Sequence, residues 1–447
     1  MRKLKIINWN KKKTVVLFVS ILVTMAMQSM DSQIVKDASA QSQQSDKALA
    51  PQLESSSTIS QANKKLSING VTNAELAKRL NVTEVAINKF FAILGQQKIH
   101  ADELEQTMQK LAERHKELEK RSGLMRSEHP EIMIILQQAR KALNKARYEE
   151  AETLYEQAAS LDNAVAEKST EHYSRHKRSA AENMALKAEL LHTRFAFIDA
   201  TRAYERAINL SEEGKAEEKT AEYQNMLGRI YHDNGKYDQA IVLYEKALAG
   251  NLRIHGEDHQ SVAKDRNHLG LAWQDLGQYA KAIEYLELAL ASNLKTYGED
   301  HPSVMIDRND LGVAWQAQKQ YEKAIHYYEQ ALASGLKIYG EDHPHVAIYR
   351  NNLGEAWGSL GNHKKAIGYY EQALASDLRT FGNDHLDVAI DRNNLGLAWQ
   401  SLGQYEKAIE YLTQALASFK KHLGADHPDT LVVGVNLESV KQMLPPK

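Results

Sequence analysis

Gly-x-Asp-His returns at Gly256, Gly298, Gly340, Gly382 and Gly424, each time 42 residues after the last. A second phrase keeps step with it: Asn267-His268-Leu269-Gly270, Asn309-Asp310-Leu311-Gly312, Asn351-Asn352-Leu353-Gly354 and Asn393-Asn394-Leu395-Gly396. A unit of this length, repeated in phase, cannot bury its apolar face alone, so the copies must stack. Each unit reads as two helices. Between them lies a break such as Leu276-Gly277-Gln278 or Leu360-Gly361-Asn362, where glycine supplies the positive φ that ends the first helix. In the second helix Ala282, Leu286 and Ala289 fall on one stripe, as do Ala324, Tyr328 and Ala331. Steps of four and three residues share a helix face, and the small residues let neighbouring helices approach.

Composition agrees with a helical protein that buries a core: of 447 residues 43% are hydrophobic, 26% charged and 7% aromatic. The formal net charge of -2 gives no overall basic field to attract nucleic acid or an anionic membrane. The absence of cysteine excludes disulfides, thiolate metal sites, cysteine nucleophiles and a lipoprotein anchor, and leaves the redox compartment open.

The first forty residues read as an address. Arg2, Lys3, Lys5 and Lys11 to Lys13 precede an apolar run from Thr14 to Met27, and small-residue cleavage sites follow at Thr24-Met25-Ala26 and Ala38-Ser39-Ala40. Fourteen residues cover only about 21 Å, short of the ~30 Å hydrocarbon core. Three readings stay open: a cleaved signal, an uncleaved anchor that draws in Gln28 to Met30, or a buried helix of a cytoplasmic protein. The first two export the rest of the chain, to the periplasm or beyond, with the basic lead left inside. Membrane contact is then expected only through residues 14–30, if the signal is uncleaved. Residues 41–60, rich in Gln, Ser and Ala, read as a disordered linker.

Leu269-Gly270, Trp273, Gly277, Tyr279, Ala282 and Ala289 resemble the tetratricopeptide repeat signature. The 42-residue length and the Gly-x-Asp-His-Pro junction are similar to the kinesin light chain variety, which is widespread in bacterial proteins too. The resemblance is strongest from Glu222 to Leu437. It reaches back in weaker form through Tyr148, Ala151, Tyr155 and Ala158, and through Phe197, Ala200, Tyr204 and Ala207. The fold it implies is all-α, a right-handed α-solenoid of tetratricopeptide helix hairpins with a small helical N-terminal segment. The expected divisions are a signal or anchor at 1–40, the linker at 41–60, the helical segment at 61–127, degenerate repeats at 128–220, regular repeats at 221–430 and a C-terminal capping helix at 431–447. The long coiled coil of the light chain is missing. Leu104, Met108, Leu111 and Leu118 give little more than two heptads, with His115 interrupting the seam.

The resemblance implies a concave groove lined by the first helices, and it aims particular residues inward. They are Asn267, Leu271 and Gln274; Asn309, Val313 and Gln316; Asn351, Glu355 and Gly358; Asn393, Leu397 and Gln400. Carboxamides offer both a donor and an acceptor, which suits a peptide backbone, and the apolar row would bury alternate side chains. Two readings of the asparagines stand side by side: contact with a ligand, or bonds to the neighbouring helix that fix the stacking. Arg266, Arg308, Arg350 and Arg392 form another ladder, read either as a receptor for an acidic peptide or as salt bridges between adjacent helices. The clamp for a partner's C-terminal carboxylate is not expected, because Asn309 and Val313 stand where such domains carry a Lys or Arg and an Asn.

Candidates for chemistry fail on geometry. His259, His301, His343, His385 and His427 each follow an aspartate. Helices packed ~8–10 Å apart cannot bring one histidine per repeat to a single ion that needs ligands at ~2.0–2.1 Å. Asp-His-Pro fits a helix start, with proline at the first helical position and a polar cap before it. Gly228 to Lys236 has six residues between its glycines, and Tyr237 replaces the required Ser or Thr of a phosphate loop. The expectation is a non-enzymatic scaffold without cofactor or metal that binds a peptide or protein and no nucleic acid. The alternative is a cytoplasmic or membrane-tethered regulator using Thr72 to Leu94 as a helix-turn-helix. There Leu76, Ala77, Leu80, Val82, Ile87 and Phe90 form the core, and Asn81 the turn. Its second helix presents Glu84, Asn88 and Lys89, a single phosphate-pairing cation, where base readers bring several.

If Ala324 lies in a close helix seam, Ala324→Leu overpacks it and lowers stability by about 1–3 kcal/mol, measured by urea denaturation.

Overall fold

The computed structural model describes residues 72–97, 101–127, 129–168 and 173–444. The expected address at 1–40 and the linker at 41–60 lie outside the described residues. Every regular element among the described residues is a helix. Three come first: α1 (Asn73–Leu80), α2 (Glu84–Gln97) and α3 (Ala101–Leu124). Seven antiparallel hairpins follow. They pair α4 (Pro130–Asn144) with α5 (Tyr148–Lys168), α6 (Tyr173–Thr193) with α7 (Phe197–Glu213), and α8 (Glu217–Asp233) with α9 (Tyr237–His255). Next come α10 (Gln260–Asp275) with α11 (Tyr279–Tyr297), and α12 (Pro302–Ala317) with α13 (Tyr321–Tyr339). The last two pair α14 (Pro344–Ser359) with α15 (His363–Phe381), and α16 (Leu386–Ser401) with α17 (Tyr405–Leu423). A single helix, α18 (Pro428–Lys441), closes the stack against α17.

The Gly-x-Asp-His phrase explains each junction between hairpins. Its glycine takes φ between +77° and +92°, and its N–H closes the preceding helix. Its histidine then starts the next helix: Nδ1 of His259, His301, His343, His385 and His427 each accepts a backbone N–H two residues on, at 3.2 Å. Four of these rings also stack on the aromatic that ends the previous helix, as Tyr297 on His301 at 4.1 Å. The polar cap expected at this position is thus the imidazole itself. Within hairpins Gly277, Gly361 and Gly403 take positive φ, and Lys319 adopts φ +62° at the equivalent point.

Each hairpin closes on tight contacts between its first and second helices. A Cβ on Gly312 would lie 2.3 Å from the Tyr328 ring, and one on Gly354 would lie 2.5 Å from Tyr370. That glycine is what lets each pair of helices cross so tightly. Ala282, Ala289, Ala324 and Ala331 are fully buried in the same seams. Neighbouring first helices also approach one another, α10 with α12, α12 with α14 and α16 with α18. The stack therefore curves with the first helices inside.

The α3 seam does not seek another chain. Leu104, Met108, Leu111 and Leu118 are buried against α2 and the first hairpins. His115, the expected interruption, is buried with them at 1% exposure and faces the Tyr148 hydroxyl at 3.1 Å. Burial pushes its pKa down to about 4. An unfolded histidine takes up its proton near pH 6.5, while the folded one resists until about 4. Stability therefore falls across that interval, by about 3 kcal/mol at its lower end. Denaturation measured at several pH values should show a shallower acid-side loss for His115→Gln than for the unchanged chain.

Candidate functional site

The inner face is built from first helices, whose inward positions fall three, four and three residues apart. One row contains Asn225, Asn267, Asn309, Asn351 and Asn393. A second contains Glu189, Arg229, Leu271, Val313, Glu355 and Leu397. A third contains His192, His232, Gln274, Gln316, Gly358 and Gln400. A fourth, three residues before the asparagines, contains Glu182, Glu222, Lys264, Ile306, Ile348 and Ile390. Leu271, Gln274, Val313, Gln316, Glu355 and Gly358 are half-exposed there, as are Asn267, Asn309 and Asn351. Asn393, Leu397 and Gln400 are buried, with Gln400 Nε2 against Met443 Sδ.

Every asparagine of the expected set reaches across to the next first helix. Asn267 donates to Asp307 at 3.0 Å and to Asp310 at 3.2 Å, and Asn351 donates to Asp391 at 2.6 Å. Asn309 accepts from Asn352 at 2.8 Å, and Asn393 from Asn436 at 3.1 Å. The stacking bond is present at all four. The receiving carboxyls are buried, and burial pushes Asp307 up to about 7 and Asp265 up to about 6, although each accepts two carboxamide N–H groups.

The arginine ladder points elsewhere. Arg266 donates to the Glu257 carbonyl at 3.2 Å and to Ser292 Oγ at 2.9 Å, and its guanidinium meets the Glu257 carboxylate. Arg308, Arg350 and Arg392 repeat the bond to the junction carbonyl at 3.3, 3.1 and 3.1 Å. These residues are buried. They fasten each junction to its own hairpin, and so match neither an acidic-peptide receptor nor salt bridges between adjacent helices. Aspartates of the same junctions pair with Lys295, Lys337, Arg379 and Lys421.

At its N-terminal end the inner face is occupied by the chain itself. Arg121 of α3 pairs with Glu182 at 2.8 Å and lies 4.0 Å from Glu222; Arg114 pairs with Asp233 at 3.2 Å. Burial pushes the Glu182 carboxyl up, but Arg121 and Lys219 outweigh it and hold it low. Asp233 is likewise held low against burial, by His192, Arg114 and Arg229. The same helix also meets α17, so it bridges the two ends of the stack. Sequence reasoning missed the groove members Asn225, Arg229 and His232. They stand one 42-residue step before Asn267, Leu271 and Gln274, where the change of side chain hides the row.

The helix-turn-helix candidate forms α1 and α2, with Asn81 at φ +51° between them. Two of the groups it presents are engaged: Asn88 accepts from Asn73 at 2.8 Å, and Lys89 pairs with Glu149 at 2.9 Å.

A tetratricopeptide repeat family model matches residues 219–292, 260–334, 308–378 and 358–421. Residues 219–421 of the chain belong to the tetratricopeptide repeat family. The crystal structure of nearly identical TPR-like repeats from a putative kinesin light chain of Podosopora anserina is 30% identical. That match covers 44% of this chain and 94% of that one, with a TM-score of 0.42. BtubC (BKLC) from P. vanneervenii is 24% identical over 52% of this chain and 92% of that one, with a TM-score of 0.46. A tetratricopeptide repeat protein from Parabacteroides merdae is 12% identical over 69% and 98%, with a TM-score of 0.44. No curated protein matches.

Removing the asparagine side chains strands buried partners. Asn309→Ala, Asn351→Ala and Asn393→Ala should each lower stability by about 1–3 kcal/mol in denaturant titrations. Unchanged stability with loss of partner capture would return them to ligand contact.

Proposed function

We propose that this chain captures a peptide or protein along the inner face of hairpins four to six and catalyses no reaction. Tetratricopeptide repeats serve as protein-interaction scaffolds, and the observation that carries the reading is a continuous row of side chains left half-exposed on the inner helices. Leu271 and Val313 supply apolar surface. Gln274 and Gln316 are half-exposed carboxamides, a side chain that can bond a peptide backbone. Histidines that elsewhere invite a metal are committed to helix caps, and no cluster of metal-binding side chains occurs among the described residues. The regulator reading is less well supported, because the only cation of its presumed reading helix is paired with Glu149.

A photo-crosslinking residue tests the site. Placed at Gln316, it should give a covalent adduct with a protein of the producing cell, while the same residue at Glu329, exposed on α13, should give none. Equal adducts at both positions would place the interaction elsewhere.

We further propose export, on the basic lead, the short apolar run and Ala38-Ser39-Ala40. Among the described residues no helix is long and apolar enough to cross a membrane. N-terminal sequencing of the mature protein should begin at Gln41; an intact Met1 in a soluble fraction supports the regulator.

A further inference from the structure

The row three residues before the asparagines changes character along the stack: Glu182 and Glu222, then Lys264, then Ile306, Ile348 and Ile390. The two glutamates face Arg121 of the docked α3, and Lys219 pairs with Glu222 at 2.8 Å. Lys264 is the next position along the row. It is solvent-exposed, and no hydrogen bond or ion pair engages it among the described residues. The crowded walls of the groove, and then Arg229, push its pKa down; Asp265, Glu222 and Glu189 oppose that shift without cancelling it, so its charge is held at a cost. Beyond it Ile306 is 47% exposed, and Val313 and Ile348 are half-exposed.

A segment laid over Ile306 would also cover Lys264. Covering an ammonium without a counter-charge is unfavourable, whereas pairing it in a crowded, partly dry site is worth more than at an open surface. Inner helices stand ~8–10 Å apart, and an extended segment advances ~3.3 Å per residue. Successive contacts therefore fall about three residues apart in the partner.

We propose that the open stretch of the groove receives a partner segment with an acidic side chain at Lys264, followed at steps of about three residues by aliphatic side chains on Ile306 with Val313 and on Ile348. This rests on the groove reading above and adds the partner's chemistry and the order of its contacts. The charge reverses along the inner face: basic side chains belong where α3 docks, and an acidic one belongs just beyond.

A displayed library of random peptides, selected against the full chain and against Lys264→Glu, tests it. The unchanged chain should enrich peptides with a carboxylate at one end of a run of spaced aliphatic residues. Lys264→Glu should enrich a basic residue at that place and weaken the first set by about tenfold or more. Ile306→Asp should weaken both sets. Both positions are exposed, so circular dichroism should show the fold intact. Enriched peptides that lose affinity on Ile306→Asp but show no charge preference would overturn this inference and leave the groove reading standing. Failure to enrich any peptide, or peptides indifferent to Ile306→Asp, would overturn both.

Discussion

A buried carboxylate at the junction between hairpins sets the geometry of the regular repeats. Asp265 on α10 accepts from Asn225 on α8 at 2.6 Å and from Asn251 on α9 at 2.7 Å. Asp307 on α12 accepts in the same way from Asn267 at 3.0 Å and Asn293 at 2.7 Å. One side chain thereby grips both helices of the preceding hairpin, and directional bonds fix a register that apolar packing alone leaves loose. Neutral donors do not fully offset burial, as the raised pKa of both carboxyls shows.

Further along, the junction is rebuilt by paired substitutions. Tyr349 replaces the aspartate, and Gly335 replaces the asparagine opposite, where a Cβ would lie 3.2 Å from the tyrosine ring. At the next junction Asp377 stands opposite Asp391, and burial pushes both pKa values up, joined by the Asp387 carboxyl at Asp377 and by the Asp377 carboxyl at Asp391. At the last, Phe419 and Val433 make the contact apolar. Each change in one helix is answered in the next, so the spacing of hairpins survives a change of chemistry.

The helices, their pairing and the closing helix were legible because glycine, proline and small-residue positions repeat with the backbone geometry that demands them. The division of labour among polar ladders was not. Asn351 looks the same whether it bonds a ligand or Asp391, because composition carries no information about which atom lies within 3 Å. The arginines were misleading for a related reason: one per repeat suits salt bridges between adjacent helices, yet the Arg266 guanidinium turns back to the Glu257 carbonyl. Nor could helical spacing show that α3 folds onto the inner face, since a seam too short for a coiled coil does not say where it docks. The ion pairs of Arg114 and Arg121 settle that only in three dimensions.

An interaction scaffold of this kind works by holding its inner helices at fixed intervals, so that a bound segment meets its contacts without first ordering them. The fixed interval depends on the junction carboxylates. Amide hydrogen exchange of the chain carrying Asp307→Ala tests that dependence. Exchange should quicken in α10 to α13, the hairpins on either side of the removed side chain, and stay unchanged near α1 and α18. Exchange unaltered throughout would contradict the role given to these carboxylates.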